Sequence, residues 1–178
     1  MVEKKVKYSC IQSLKEAGAP VIIVTLPEEA EAIANACRDN GIVVAAFSDN
    51  ETRKLQKNYC GLEVIHTPTL PKRFPKARLI IAYHHMDDCV DQLSALGYDE
   101  FYSPLELLKN YDLNKHKHRV SQPYMQNKIS ICIKSHELYF DEAKTYMRSL
   151  DVMITAKCSM KCESCANLMQ YYVAAKNT

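Results

Sequence analysis

The chain has 178 residues, 47% of them hydrophobic and 25% charged, the balance of a soluble globular protein with one domain plus an appendage. A net charge of +2, with the basic residues spread along the chain, argues against a nucleic-acid partner. No apolar run reaches membrane-spanning length and Met1–Lys7 lacks the apolar core of a signal peptide, so no membrane partner is expected, and the eight cysteines read as reduced thiols of a cytoplasmic protein.

Residues 3–17 are predicted as an opening helix, with Val6, Cys10, Leu14 and Ala17 on one face and Gly18 as its stop. Residues 20–25, Pro-Val-Ile-Ile-Val-Thr, form a continuous apolar run, as expected of a strand covered on both faces. A helix follows over 27–40: Pro27 suits its first turn, Glu28 and Glu29 favour the positive end of its dipole, and Gly41 ends it. A second strand over 42–47 completes a βαβ unit, whose crossover is right-handed by rule. Short strands at 63–66, 78–83 and 100–102 alternate with helices at 86–96 and 105–111. Such alternation predicts an α/β fold, a parallel sheet with helices on both sides. Residues 19–111 therefore read as a small Rossmann-like three-layer arrangement, within a first domain of residues 1–111.

Residues 112–128 turn polar and read as a surface linker. From 129 to 178 the expectation is a strand, a helix and one further strand–helix unit. Lys128-Ile-Ser-Ile-Cys-Ile-Lys134 alternates with Ile129, Ile131 and Ile133 on one face, a strand pattern. Asp141 is placed to cap a helix running to Leu150, Val152–Thr155 reads as a short buried strand, and 166–175 as a helix.

A parallel sheet binds ligands beyond the carboxyl ends of its strands, where strand order reverses. The segments expected there are Thr25–Glu28, Ser48–Asn50 and His84–His85. A dinucleotide would need glycines after the first strand, because side chains block the approach to its diphosphate. The chain has Thr-Leu-Pro-Glu-Glu-Ala instead, and two glutamates would repel that diphosphate. Strand 2 ending Ala-Phe-Ser-Asp49-Asn50, then Gly61-Leu-Glu-Val-Ile65, then Leu96-Gly-Tyr98 ahead of Pro-Leu-Glu-Leu-Leu resembles the N-terminal Rossmann-like domain of sugar O-acyltransferases. That resemblance implies a small-molecule substrate, a nucleotide sugar among the candidates, with Asp49 beside its ribose or base. A turn or helix-cap role for Asp49 is the competing reading.

Cys158, Cys162 and Cys165 supply the one pattern with a definite chemistry. Spacings of four and three residues let one loop aim three thiolates at one point, and clustered thiolates suit iron–sulfur or zinc. No fourth donor lies within a few residues, so a metal here keeps an open position or borrows a distant ligand such as His136. A CxxxCxxC loop between a short strand and a helix resembles the signature of the radical S-adenosylmethionine (SAM) superfamily. The resemblance covers about residues 150–172 and implies the first unit of a radical SAM (β/α) barrel. In that family the three cysteines hold a [4Fe-4S] cluster whose fourth iron chelates SAM, and reductive cleavage of SAM yields a 5′-deoxyadenosyl radical. The chain then reads as the N-terminal part of a longer enzyme, inactive alone, with the Rossmann-like domain as an accessory for substrate or partner. The alternative is a non-catalytic nucleotide-binding or sugar-nucleotide-binding module with a zinc-binding cysteine tail.

Other candidates have plainer readings. Cys10, Cys37 and Cys89 fall on inward helix faces and read as small core hydrophobes, while Cys60 and Cys132 receive no role. His84 and His85, adjacent after a strand, are expected to point opposite ways and to serve structure or capping beside Asp87 and Asp88. His116 and His118 are expected to be solvated in the linker.

Overall fold

Apolar runs of four to six residues, too short for buried helices and rich in Val, Ile and Ala, become the central strands of one sheet. A computed structural model describes residues 5–8, 10–16, 18–51, 53, 55, 58–141 and 143. In chain order the elements are β1 (Val6–Lys7), α1 (Ile11–Lys15), β2 (Val21–Val24), α2 (Ala30–Asp39), β3 (Val44–Asp49) and β4 (Val64–His66). There follow α3 (Leu70–Arg73), β5 (Arg78–Ile81), α4 (Met86–Ala95), β6 (Phe101–Tyr102), α5 (Leu105–Lys109) and α6 (Gln122–Phe140).

The sheet has six strands in the order β1-β6-β5-β2-β3-β4, and every pair is parallel. From β2 the chain builds outward through β3 to β4, then crosses back to β5 on the other flank. Strand order thus reverses between β2 and β5, the Rossmann-like arrangement expected. All four residues of β2 are buried, since helices cover both faces. Val21 and Ile23 pack with Ala30, Ile33, Ala34 and Cys37 of α2, while Ile22 and Val24 pack with Met86, Val90 and Leu93 of α4. Each such aliphatic side chain contributes about 2 kcal/mol by leaving water.

Two expectations give way. The opening segment is not one helix: Val6 and Lys7 pair with Phe101 and Tyr102 at the sheet edge, and only Ile11–Lys15 is helical. The start of α1 is held from afar, because Glu106 Oε2 accepts from the N–H groups of Cys10 (2.7 Å) and Ile11 (3.0 Å). A lysine-bearing strand of two residues also makes a poor template for further pairing, which suits an edge.

The second correction is larger. Residues 128–134 are helix, not strand, and 122–128 are the first turns of that helix rather than linker. Pro123 fits its first turn, where no N–H is needed. The face that decides its conformation is Met125, Cys132 and His136, all buried, at helical spacing. Ahead of it, Leu113–Lys115 forms a 3₁₀ turn in which Asp112 Oδ1 accepts from Asn114 N at 3.0 Å. Sheet and α6 belong to the same unit, Met1–Tyr146. The helix expected after Asp141, the strand at 152–155 and the cysteine loop lie outside the described residues. No helix of the described residues is long and apolar enough to cross a membrane.

Candidate functional site

The strand reversal makes the loops after β2 and β5 the place to look for a ligand. The chain leaves β2 through Thr25, whose φ of 67° is left-handed. A β-branched residue resists that conformation, and dinucleotide-binding sheets place glycine there. Thr25 N donates to Ser48 O at 2.7 Å, which ties the turn to β3, while its buried Oγ1 has no hydrogen-bond partner among the described residues. Next, Glu28 sits just before α2. Its own backbone N–H holds its carboxyl below the usual range, burial opposes this, and Lys128 of α6 (3.2 Å) and the Tyr124 hydroxyl (3.4 Å) add to it.

Asp49 ends β3 and is buried. Its Oδ1 accepts from Glu51 N at 2.7 Å, an Asx turn that carries the chain away from the sheet. Beside it, Ser48 Oγ and Thr67 Oγ1 share a buried hydrogen bond at 2.8 Å, which joins β3 to the turn after β4. The carboxylate thus performs the turn role that competed with ribose binding.

After β5 the chain continues as Tyr83-His84-His85. The two histidine rings do not diverge: their centroids are 4.3 Å apart, and both rest against Tyr83 at 4.5 and 5.5 Å. Strand alternation ends at Ile81, so it no longer sets their directions. His85 occupies the position before α4 but makes no capping hydrogen bond through its side chain.

Helix α6 meets the loops after β2 and β5, and the turns after β6 and β1 as well. Tyr124 and Lys128 reach Glu28 after β2. Cys132 lies close enough to Glu29 for that carboxylate to act on its thiol. His136 Nδ1 is 3.0 Å from Ser103 Oγ after β6, and Phe140 makes an edge contact with Tyr8 after β1 at 5.2 Å. His136 is fully buried, and burial first, then His84, pushes its pKa down to about 4, against the pull of the Tyr83 carbonyl. Ser103 Oγ accepts from Leu105 N at 3.3 Å, which leaves its hydrogen for His136 Nδ1. Nε2 then carries the ring proton and faces the Tyr83 carbonyl without closing a regular hydrogen bond. The ring is therefore a buried clasp between α6 and the turn after β6.

In the polar stretch before α6 the two histidines are half-buried rather than solvated. His116 stacks on Tyr111 at 5.9 Å with 9° between the planes, and its Nε2 lies 3.0 Å from Asp39 Oδ2. His118 Nε2 lies 3.3 Å from the Tyr111 hydroxyl. Arg119 covers the ring of Tyr59 at 4.8 Å, and Tyr59 rests edge-on against Phe47. A cleft of about 410 Å³ opens here between Leu26, Glu28, Glu31, Tyr59 and Arg119.

Among the described residues no group of three His, Cys, Asp or Glu side chains is arranged to hold a metal. The five described cysteines are free, and Cys10, Cys37, Cys89 and Cys132 are buried. Burial raises every one of these thiols, Cys10 to about 12 and Cys60 and Cys89 to about 11, so they stay protonated and inert as ligands. Cys158, Cys162 and Cys165 lie outside the described residues. No family model matches the chain, and no curated protein or solved structure matches it either. The sequence signal that pointed to α6 was available: Met125, Ile129, Cys132 and His136 recur every three or four residues.

Proposed function

We propose that this chain belongs to a radical SAM enzyme, as the part in which a Rossmann-like accessory domain precedes the first strand, cluster loop and helix of the catalytic barrel. The observation that carries the proposal is the CxxxCxxC spacing of Cys158, Cys162 and Cys165. Its donor set fits a [4Fe-4S] cluster, for three thiolates satisfy three irons and leave the fourth for the amino and carboxylate groups of SAM. When bound, that cluster would supply the electron that cleaves SAM reductively, and a small-molecule substrate would then lose a hydrogen atom. The other cysteines support this division of labour, because burial keeps all five protonated and leaves the three clustered ones as the thiolate donors. A cluster of this kind suits a reducing cytoplasm.

Anaerobic reconstitution of the 178-residue chain with iron and sulfide tests the reading. The expected product absorbs broadly near about 400 nm and holds about four irons per chain. Replacing Cys158, Cys162 and Cys165 together by Ser should abolish both signals. Colourless protein that retains one zinc, or an iron content unmoved by the triple substitution, would refute the proposal.

A further inference from the structure

Where a Rossmann-like sheet normally receives a nucleotide, this chain presents one of its own helices. Residues that follow four different strands meet α6: Glu28 after β2, Tyr83 after β5, Ser103 after β6 and Tyr8 after β1. The helix begins among the side chains on the α2 face, with Met125, Ile129, Cys132 and Ile133, and ends among those on the α4 face, with Tyr139 and Phe140. It therefore crosses the carboxyl ends of the strands from one layer to the other. Cys132 and His136, exposed by 2% and 0%, sit above the loops at the strand reversal.

The charges tell the same story. A diphosphate in such a fold takes its place at the start of the helix after the first central strand, where backbone N–H groups and the helix dipole favour an anion. Here the anion is Glu28, turned back on its own N–H and paired with Lys128 of α6. Thr25, with a left-handed φ, stands where a diphosphate would need a glycine.

We infer that α6 is the resident occupant of the ligand crevice, with Glu28 and Lys128 in the role of phosphate and its counter-charge and the His136–Ser103 pair as the clasp. That crevice is thereby closed, and it receives neither a nucleotide nor a nucleotide sugar. This inference stands apart from the cluster chemistry, since it uses none of Cys158, Cys162 or Cys165.

Hydrogen exchange by NMR on the full chain, with those three cysteines changed to Ser, tests the inference without the cluster. ADP and UDP-glucose serve as probes. The expected result is that neither probe shifts any amide resonance, and that amides from Met125 to His136 exchange within about tenfold of those in β2 and β5, as parts of one cooperative unit do. Binding of either probe would overturn the inference. So would α6 amides that exchange more than about a hundredfold faster than the strands, for α6 would then be a lid that opens on its own. Lys128→Glu provides a check that leaves the core intact: it should speed exchange at Tyr124–Lys128 and leave β2 and β5 unchanged. Uniform acceleration across the sheet, or none at Tyr124–Lys128, would contradict the placement of the Glu28–Lys128 pair.

Discussion

Replacing His136 by Asn separates its clasp from its charge. The wild-type ring is fully buried and titrates at about 4, against 6.5 when unfolded. A base whose folded pKa is depressed binds its proton more readily in the unfolded chain. Between those two values stability therefore falls as pH falls, and the loss saturates only below the folded pKa. From pH 7 to pH 5 the loss through this one ring is about 2 kcal/mol. The groups that face the ring are His84, the Tyr83 carbonyl and Ser103, while Glu137 on the same helix is paired with Lys109. Glu28 and Asp39, whose folded carboxyls are held low, begin to withdraw support only below their unfolded values of 4.5 and 3.8. An Asn amide keeps a polar atom near the Nδ1 position for Ser103 but cannot titrate. Urea melts followed by far-UV circular dichroism suit a chain without tryptophan. His136→Asn should be weaker than wild type at pH 7 by about 1–3 kcal/mol, through the smaller side chain and the lost ring contacts. Its stability should nevertheless fall between pH 7 and 5 by about 2 kcal/mol less than wild type. Two parallel stability curves would show that the ring is not held neutral by burial, and the clasp would lose its physical basis.

Asp49→Ala removes the acceptor for Glu51 N and should cost about 1–2 kcal/mol in a urea melt, whereas Asp49→Asn keeps an acceptor oxygen and should cost clearly less. An Asp49→Ala protein as stable as wild type would show that the bond to Glu51 N does not hold the turn. Thr25→Gly relieves a β-branched residue at φ 67° and removes a buried hydroxyl without a partner, so the variant should gain about 1 kcal/mol despite its more flexible unfolded chain. A loss of stability on that substitution would mean that the hydroxyl serves a contact worth more than the strain it imposes.

The parts of the fold legible in the sequence are those fixed by local pattern. The buried runs at 21–24 and 78–81 announce central strands, and Ala30, Ile33, Ala34 and Cys37 announce the inner face of α2. Cys10, Cys37 and Cys89 were readable as core residues for the same reason, and all three are buried. Features that depend on partners distant in sequence were hidden. Glu106 holds the start of α1 from nearly a hundred residues away, and β1 is a strand only because β6 offers it an edge. His116 and His118 look solvated in a polar stretch, yet the Tyr111 ring and Asp39 hold them against α2. At the crevice, the missing glycine after β2 was legible. What fills the space instead was not.

Residues 128–134 show why that occupant escaped notice. Ile129, Ile131 and Ile133 alternate with Ser130 and Cys132, and a period of two is the mark of a strand. A strand, however, needs a neighbouring ladder for its N–H and C=O groups, and the ends of the parallel strands offer none. A helix pairs its own backbone groups internally, so it alone can lie across those ends without orphaned donors. The same placement explains the mixed apolar pattern. Ile129 and Ile133 pack toward the α2 layer, Tyr139 and Phe140 reach the α4 layer, and the helix turns different faces to each as it crosses. Ile131 joins neither cluster, so the local alternation of 129, 131 and 133 marks no packed strand face. The element that closes the crevice is the one whose periodicity its own sequence disguises.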